Sequence, residues 1–310
     1  MALAHYLPPS TQLDAVTACV GLISDTHYPL RCEQLPPALF EIFAGVDLLL
    51  HAGDVGELTV LDQLSQIAPV IAVHGNDEAT IAEEVLPYQQ VLSLHGRRVL
   101  LWHSHYPDRQ KEMASRVDDA MVPKLQRTVN RAKRAGATIA VFGHWHIPLI
   151  YEQDGVTVVN PGAIASGNFF SRQLCQSVAL LFLLRDGGHA IVHIDIATQQ
   201  PFTPACVWPA GFKATLARFS ESIFTPDAEA LLHRIRPQLS EALRQALIPM
   251  LLPLIQRCWR REVDVISLPM LLENLSAADA LEPALRVELN RLIAVADSHI
   301  AIANSPNLQE

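Results

Sequence analysis

Side chains that bind metal ions occur in five short clusters in the first half of the chain, and each cluster follows a short apolar run. Carboxylate and imidazole groups without any thiolate suit a first-row transition metal better than calcium or magnesium. Seven such side chains exceed the four ligands of one tetrahedral ion and are about enough for two ions that share a carboxylate. The candidate metal ligands are Asp25, His27, Asp54, Asn76, His103, His144 and His146.

The apolar runs that precede these clusters have the length and composition of β-strands. We predict strands over 19–24, 46–51, 69–74, 99–103, 138–143, 156–160, 178–184 and 190–196. An apolar stripe predicts a helix before the fifth run, at Val122, Leu125, Val129 and Ala132. Alternation of strand and helix favours parallel pairing of the early strands, whereas the short loops between later runs favour antiparallel pairing. Because the carboxyl ends of parallel strands meet in one crevice, the candidate ligands are expected to converge there.

This ordered set of clusters resembles the motif series of the calcineurin-like metallophosphoesterase family, and in particular its small prokaryotic phosphodiesterase branch. The resemblance covers residues 18–196 and includes Asn160-Pro161-Gly162, the tripeptide that commonly ends the series in that branch. It implies an α/β fold in which two packed mixed β-sheets are flanked by helices, an αββα sandwich. By the family pattern, one ion is held by Asp25, His27, Asp54 and His146, and a second by Asp54, Asn76, His103 and His144.

The ligand set is expected to bind two divalent ions, with manganese the first choice and iron, cobalt, nickel or zinc as alternatives. Two cations about 3.5–4 Å apart can share a water, lower its pKa and present hydroxide in line with a phosphorus atom. We therefore expect a metal-dependent phosphoric ester hydrolase, above all a phosphodiesterase, acting on a small phosphoester, with nucleotides among the candidate substrates. The alternatives are a phosphomonoesterase, a nucleotide pyrophosphohydrolase, or a non-catalytic binding scaffold like the retromer subunit of this family. The complete ligand set favours an enzyme.

Two positions depart from the family pattern. Many members have a histidine after the asparagine of the third motif, where it can protonate the leaving oxygen, but here Asp77 follows Asn76 directly. His105, two residues after His103, is the candidate catalytic acid, and a role in supporting the ligands is the alternative. Trp145, between two candidate ligands, either lines the pocket or packs in the core.

The composition restricts the partners of the protein. With a net charge of −9, a general role in coating nucleic acid is excluded. The longest aliphatic and aromatic run, 178–184, is too short to cross a membrane, and the N-terminus lacks the pattern of a signal peptide, so we expect a cytoplasmic protein. Five scattered cysteines indicate neither a disulfide framework nor a thiolate zinc site. The basic segment 108–135 either attracts an anionic substrate or forms a solvated helix face.

Changes in composition divide the chain into four predicted regions. These are an N-terminal arm (1–17), a metallophosphoesterase domain (18–196), a proline-containing linker (197–226) and a helical C-terminal module (227–310). The linker shows no sustained periodicity, whereas the module has leucines at helical spacing.

The C-terminal module has its own start and stop signals. Thr225 and Pro226 predict a helix start, and Ser276 with Asp279 predicts another. Prolines are expected to kink or divide the helices and so to limit their packing on each other, at Pro237, Pro249, Pro253 and Pro269. The apolar stripes must nevertheless be covered, by the core domain, by the module itself or by another chain, as in a homo-oligomer.

Overall fold

The computed structural model describes residues 2–206, 208–276 and 281–303. The contacts divide the chain into two units. The first contains Met1–Ser166 and Gln173–Ser220, and the second contains Gly167–Arg172 and Glu221–Glu310.

Strands and helices alternate through the first part of the chain, and helices predominate after residue 225. The described strands are β1 (Val16–Ile23), β2 (Leu48–His51), β3 (Val70–Ala72), β4 (Gln89–Leu94), β5 (Arg97–Trp102), β6 (Ile139–Phe142), β7 (Leu149–Gln153), β8 (Val156–Asn160), β9 (Gly167–Asn168), β10 (Ser171–Gln173), β11 (Ser177–Leu184), β12 (His189–Asp195), β13 (Pro201–Phe202) and β14 (Ser220–Ser222). The described α-helices are α1 (Ala38–Ile42), α2 (Thr59–Ser65), α3 (Thr80–Val85), α4 (Arg109–Val117), α5 (Met121–Arg134), α6 (Gly211–Leu216), α7 (Pro226–Ile235), α8 (Glu241–Trp259), α9 (Leu268–Ser276) and α10 (Pro283–Ala303).

Two mixed sheets form the centre of the first unit. One has the strand order β13-β12-β11-β1-β2-β3, in which β1, β2 and β3 run parallel and β11, β12 and β13 pair antiparallel. The other has the order β4-β5-β6-β8-β7, in which β5, β6 and β8 run parallel. The parallel strands β1, β2, β5 and β6 are almost continuous apolar runs, as expected for strands that are covered on both faces.

Three layers of apolar side chains hold the sandwich together. Leu22 and Leu50 from the first sheet meet Val141 of the second sheet in the layer between them. A second layer packs α1 and α2 against the outer face of the first sheet. A third layer packs α5 against the outer face of the second sheet. This arrangement confirms the predicted αββα sandwich.

The helix α5 buries a slightly different stripe from the predicted one. Leu125, Val129 and Ala132 are buried as expected, but Val122 is 44% exposed. Met121 is buried in its place, because a residue four positions before Leu125 lies on the same helix face.

Two strands of the second sheet, β4 and β7, were not predicted from the sequence. β4 pairs antiparallel with β5 at one edge of the sheet, and β7 pairs antiparallel with β8 at the other edge. Both are edge strands that include polar residues, such as Gln89 and Gln90 of β4, so they lack the continuous apolar runs of the buried strands. On its other side β8 pairs parallel with β6, although the short loops between the later runs favoured antiparallel pairing.

Two predicted region boundaries differ from the units of the structure. In the predicted N-terminal arm, Leu3 and Tyr6 are buried in the layer that covers the first sheet. The predicted linker contains β13 and α6, and the first unit continues to Ser220. Phe219 packs in the layer that covers the second sheet.

The second unit has an apolar core of its own. Helices α7 to α10 contribute leucines to one buried cluster, and Phe169 and Phe170 of the short segment Gly167–Arg172 pack against it. Within the same unit, Arg172 forms ion pairs with Glu221 and Asp264. The apolar stripes of these helices are therefore covered, at least in part, by the unit itself.

One predicted helix start in this unit is confirmed and another is wrong. α7 begins at Pro226 after the N-cap residue Thr225, as predicted. α8 continues through Pro249 and Pro253, so these prolines do not divide it or prevent packing. The predicted start at Ser276 is wrong, because Ser276 ends α9 and α10 begins at Pro283. Asp279 lies outside the described residues.

In the part of the chain that the structure describes, every helix is too short or too polar to span a lipid bilayer.

The layer between the sheets gives a test of the fold. Leu50 is fully buried there, so Leu50→Ala should lower the free energy of unfolding by about 2–5 kcal/mol through lost burial and a residual cavity. Leu13→Ala is the matched control, because Leu13 is 42% exposed, and it should change the value by less than about 0.5 kcal/mol. Urea unfolding followed by circular dichroism measures both. Equal effects of the two substitutions would contradict the layer assignment.

Candidate metal centre

The candidate ligands lie on loops that follow the carboxyl ends of the parallel strands. The loop after β1 runs beside the loop after β2, because the Asp25 N–H donates to Gly53 O at 3.0 Å and the His27 N–H donates to Asp54 O at 2.9 Å. His103 follows β5, and His144 and His146 follow β6. The layered sheets thus bring together residues that are up to 121 positions apart, from Asp25 to His146.

Five of the candidate ligands have left-handed backbone conformations. Their φ angles are 53° at Asp25, 46° at His27, 51° at Asp54, 74° at His144 and 55° at His146. Residues other than glycine rarely adopt this backbone conformation. It costs about 1–3 kcal/mol per residue and persists only where the surrounding structure imposes it. The concentration of this conformation in one place is typical of a functional site.

Glycines beside these residues give the carboxylates room. A Cβ atom at Gly75 would lie 2.0 Å from Asp54 Oδ1. A Cβ atom at Gly143 would lie 2.6 Å from Ala52 O and 2.9 Å from Asp25 Oδ2. Any larger side chain at either position would therefore displace a candidate ligand or the backbone behind it.

Six of the seven candidate ligands form two groups. In each group, one potential ligand atom from every member lies within 4.8 Å of the others. The groups are Asp25, His27 and His146, and Asp54, His103 and His144.

The carboxylate of Asp54 lies between the two groups. Its Oδ2 atom is 3.4 Å from His27 Nε2 in one group and 3.2 Å from His103 Nε2 in its own group. Its Oδ1 atom accepts hydrogen bonds from the N–H groups of Asn76 and Asp77 at 2.8 and 2.9 Å. One oxygen is thus fixed by the loop after β3, and the other faces imidazoles from both groups.

Asp25 has a similar double role. Both of its oxygens accept the His144 N–H at 3.0 Å, which ties the loop after β6 to the loop after β1. Its Oδ1 atom is also 3.4 Å from His146 Nε2 and 3.9 Å from His103 Nε2. The side chain is completely buried.

Supporting contacts orient three of the imidazoles. The His103 Nδ1 atom hydrogen-bonds to Ala52 O at 2.8 Å, which directs Nε2 toward the carboxylates. His144 Nε2 lies 2.9 Å from Glu112 Oε1, and this contact leaves Nδ1 as the nitrogen that can bind a metal. His27 Nδ1 lies 3.4 Å from Asp77 Oδ2 without hydrogen-bond geometry, and the negative charge of Asp77 favours a proton on Nδ1 and a lone pair on Nε2.

Two glutamates of this site were missed in the sequence reading. Glu112 on α4 contacts His144, accepts the Tyr106 N–H at 2.9 Å and pairs with Arg116 at 2.7 Å. Glu78 accepts N–H groups from Val55, Gly56 and Gly75, and so joins the loops after β2 and β3. Glu78 could have been predicted from its position two residues after Asn76. Glu112 could not, because it lies in a helix and belongs to no motif at a strand end.

The site has the chemistry and spacing of a metal centre. Two ligand atoms that are each about 2.1 Å from one ion, at a near-tetrahedral angle, lie roughly 3.4 Å apart. The distance between His27 Nε2 and His146 Nε2 is 3.4 Å, like the carboxylate–imidazole distances given above. His103 Nε2 is buried and has no hydrogen bond of suitable geometry with the described residues, so a metal would supply its missing partner. These residues fit divalent metal ions.

The carboxylates and imidazoles strongly perturb one another. Burial opposes charge on Asp54, but His103 and His27 hold the pKa of that carboxyl well below its usual range. Burial likewise opposes charge on His103, yet Asp54 and Asp25 raise the pKa of its imidazole to about 9. The carboxylate of Asp54 and the imidazole of His103 therefore stabilise opposite charges on each other at 3.2 Å, and both side chains are buried.

The two remaining predicted site residues, Asn76 and His105, belong to neither of the two groups. Asn76 reaches the site through its backbone N–H, and the residue is exposed. His105 is buried, with its ring centroid 5.6 Å from that of His103, and burial followed by the charge of His103 lowers its pKa to about 3. Its role as a catalytic acid stays a prediction.

Other sequence features near the site have supporting contacts. The Asn160 side chain donates to Gly143 O at 2.9 Å, so the Asn-Pro-Gly motif supports the loop that carries His144. Trp145 is buried and its ring packs edge-on against Phe142. His51 is buried beside Thr26, with 3.1 Å between His51 Nε2 and Thr26 Oγ1. Cations of the basic segment contact protein oxygens, at Arg116, Lys124, Arg127, Arg131 and Lys133.

Comparison with known proteins assigns this fold and site to a family. Residues 19–183 match the calcineurin-like phosphoesterase superfamily domain. The chain therefore belongs to the calcineurin-like phosphoesterase superfamily, whose membership implies divalent metal ions as cofactors.

Two curated relatives and one solved structure illustrate the similarity. A probable metallophosphoesterase of Methanocaldococcus jannaschii is 32% identical over 149 residues, which are 47% of this chain and 68% of that protein. Another, of Methanothermobacter thermautotrophicus, is 33% identical over 144 residues, which are 46% of this chain and 76% of that protein. The structure of Vacuolar Protein Sorting 29 from Cryptosporidium parvum is 20% identical, with a TM-score of 0.44, and covers 60% of this chain and 98% of that chain.

The contact between Glu112 and His144 gives a test of the site. Glu112→Gln keeps the side-chain size but removes the charge that orients His144, so the affinity for Mn²⁺ should fall by about 10- to 100-fold. Isothermal titration of the metal-free protein measures this. Glu83→Gln, an exposed change on α3, is the control and should leave the affinity unchanged. Equal affinities of the two variants would show that Glu112 does not support a metal ligand.

Proposed function

We propose that the chain is a phosphodiesterase with two divalent metal ions as cofactors, manganese being the first choice among manganese, iron, cobalt, nickel and zinc. The observation that carries this proposal is the position of Asp54 Oδ2, which is 3.4 Å from His27 Nε2 and 3.2 Å from His103 Nε2. A single carboxylate oxygen that faces both groups suits a pair of ions better than two separate sites.

The ligand groups would divide between two ions as the geometry divides them. Asp25, His27 and His146 would hold one ion, His103 and His144 the other, and Asp54 would contribute to both. When bound, such ions lower the pKa of water and neutralise charge on the oxygens of a phosphate group. Asn76, whose backbone already fixes Asp54, is the remaining candidate ligand of the second ion.

The surrounding residues keep this arrangement rigid. Asp77 holds the Nδ1 side of His27, and Glu112 holds the Nε2 side of His144, so both rings present the opposite nitrogen to the site. Asp25 and His103 are fully buried, which excludes water from the far side of the ligand set. A centre of this kind is pre-organised and needs little rearrangement when it binds a substrate.

The choice of a diester follows from the residue after Asn76. Asp77 occupies the position where a histidine would protonate the leaving oxygen. Its carboxylate instead accepts a hydrogen bond from Arg31 Nη2 at 2.5 Å. The chain thus lacks the usual proton donor at this position, and a poor leaving group would depart without assistance. Diesters with good leaving groups are the substrates that need such help least.

The proposal makes Asp54 essential. Asp54→Asn preserves an oxygen that can accept the N–H groups of Asn76 and Asp77, but it replaces the oxygen that faces His27 and His103 with a nitrogen donor. The metal content should fall from two ions to one or none per chain, and turnover of bis-p-nitrophenyl phosphate by at least about 100-fold. Elemental analysis and steady-state kinetics measure the two effects.

The matched control for this variant is Asp62→Asn on α2, where the residue is exposed. It should retain the metal content and turnover of the unchanged protein. Full activity of Asp54→Asn with one ion bound would rule out a dinuclear centre.

The missing proton donor predicts an order of substrates. With Mn²⁺ added, bis-p-nitrophenyl phosphate should be hydrolysed faster than p-nitrophenyl phosphate, and serine phosphate should be slowest because its alkoxide leaving group needs a proton. The kcat/KM values for the three compounds test this order. Faster hydrolysis of serine phosphate than of the diester would favour a phosphomonoesterase instead.

A further inference from the structure

Arg31 lies on the same loop as the first two candidate ligands and is firmly anchored there. Its N–H donates to His27 O at 3.0 Å, and its carbonyl accepts the Ser166 N–H at 2.8 Å. The side chain is only 12% exposed, so most of it is enclosed by the protein. The backbone contacts therefore place a permanent cation beside His27.

The guanidinium group borders the nitrogen and oxygen atoms of the candidate metal centre. Arg31 Nη1 is 3.5 Å from His27 Nε2, the same nitrogen that is 3.4 Å from Asp54 Oδ2 and from His146 Nε2. On the other side, Arg31 Nη2 is 2.5 Å from Asp77 Oδ2. One edge of the guanidinium thus faces Asp77 and the other faces the centre.

Asp77 is itself fixed, so the position of Arg31 is well determined. The Asp77 N–H donates to Asp54 Oδ1 at 2.9 Å, and its Oδ2 atom is 3.4 Å from His27 Nδ1. Asp77, Arg31 and His27 form a connected set around the candidate ligand atoms. The aspartate that replaces the usual histidine of the third motif therefore holds an arginine at the site.

Charge balance indicates what this arginine is for. Two divalent ions bring +4, and the two carboxylates among the candidate ligands, Asp25 and Asp54, return −2. Asp77 balances Arg31, Glu112 balances Arg116, and Glu78 returns a further −1, so an excess of about +1 remains at the site. Arg31 would be repelled by such a positive centre unless an anion, such as a phosphate group, lay between them.

Metal binding also changes the contacts of Arg31. An imidazole nitrogen that held a metal could not also accept a hydrogen bond, so Nη1 would lose its contact with His27 Nε2. That edge of the guanidinium would still face the centre, where a substrate anion would lie. Phosphate oxygens match the planar fork of an arginine and form strong charge-assisted hydrogen bonds with it.

We propose that Arg31 binds a non-bridging oxygen of the substrate's phosphate group, and that Asp77 holds its guanidinium in position for this contact. The inference rests on the proposed function for its substrate class, and it adds the residue that recognises the phosphate. It makes Arg31 a substrate-binding residue that is not a metal ligand.

The experiment compares Arg31→Met, Arg31→Lys and the control Arg134→Met in the full chain loaded with Mn²⁺. Arg134 is an exposed residue in the last turn of α5. We measure the metal content, the KM for bis-p-nitrophenyl phosphate, and the affinity for inorganic phosphate by isothermal titration. The titration reports anion binding without requiring turnover.

Arg31→Met should keep its metal content while its KM rises and its phosphate affinity falls by about 10- to 100-fold, the size of a lost charge-assisted hydrogen bond. Arg31→Lys should be intermediate, because lysine keeps the charge but not the fork. Arg134→Met should match the unchanged protein.

Two results would overturn the inference. The first is an unchanged KM and phosphate affinity in Arg31→Met, and the second is loss of its metal, which would make Arg31 a support of the ligands alone. If the unchanged protein hydrolyses none of the phosphoesters, the proposed function fails, but the phosphate titration still decides the role of Arg31. Weaker phosphate binding by Arg31→Met then supports anion recognition, and equal binding refutes it.

Discussion

The carboxylate of Asp54 is the constraint on which the rest of the site depends. One of its oxygens is held by two backbone N–H groups from the loop after β3, and the other faces imidazoles that follow β1 and β5. The charge is buried, which is costly unless several partners surround it. Both sheets must therefore end at the same place, and Gly75 must leave the space that a Cβ atom would otherwise occupy.

The left-handed conformations at the strand ends have the same origin. A strand that ended in ordinary extended or helical geometry would direct its next side chains along the sheet or away from it. A positive φ at Asp25, His27 and Asp54 turns the chain sharply, and hydrogen bonds between neighbouring loops hold the turn in place. The fold thus concentrates conformational strain in the loops and leaves the strands behind them regular and buried.

The sequence predicted the central parts of this architecture because they follow local rules. The buried parallel strands are almost continuous apolar runs, and polar clusters mark their carboxyl ends, so the sandwich and the position of the candidate ligands were both accessible. The edge strands β4 and β7 were missed because they are only partly covered and include polar residues. Val122 was misassigned because a stripe with three-residue spacing and one with four-residue spacing look alike in a short helix.

The supporting residues of the site were harder to predict, for a different reason. Glu112 and Arg31 act through contacts that exist only in the folded chain, and neither belongs to a strand-end cluster of ligand types. In the sequence, Asp77 stands out only as a departure from the family pattern. Its contacts with His27 and Arg31 show that the departure brings in a different set of partners. Side chains that orient other side chains carry little local signal, because their role depends on tertiary structure.

The way the chain passes between the two units limits where a gene fusion or domain exchange can cut it. The chain enters the second unit for the six residues Gly167–Arg172, returns to the first, and leaves it again after Ser220. Trp259 donates its indole N–H to carbonyls of that short segment, and Arg172 pairs with residues that follow Ser220. A gene fusion or exchange at one junction would therefore separate residues that pack together. The short segment and the C-terminal helices therefore have to be transferred together, although 48 residues separate them in the sequence.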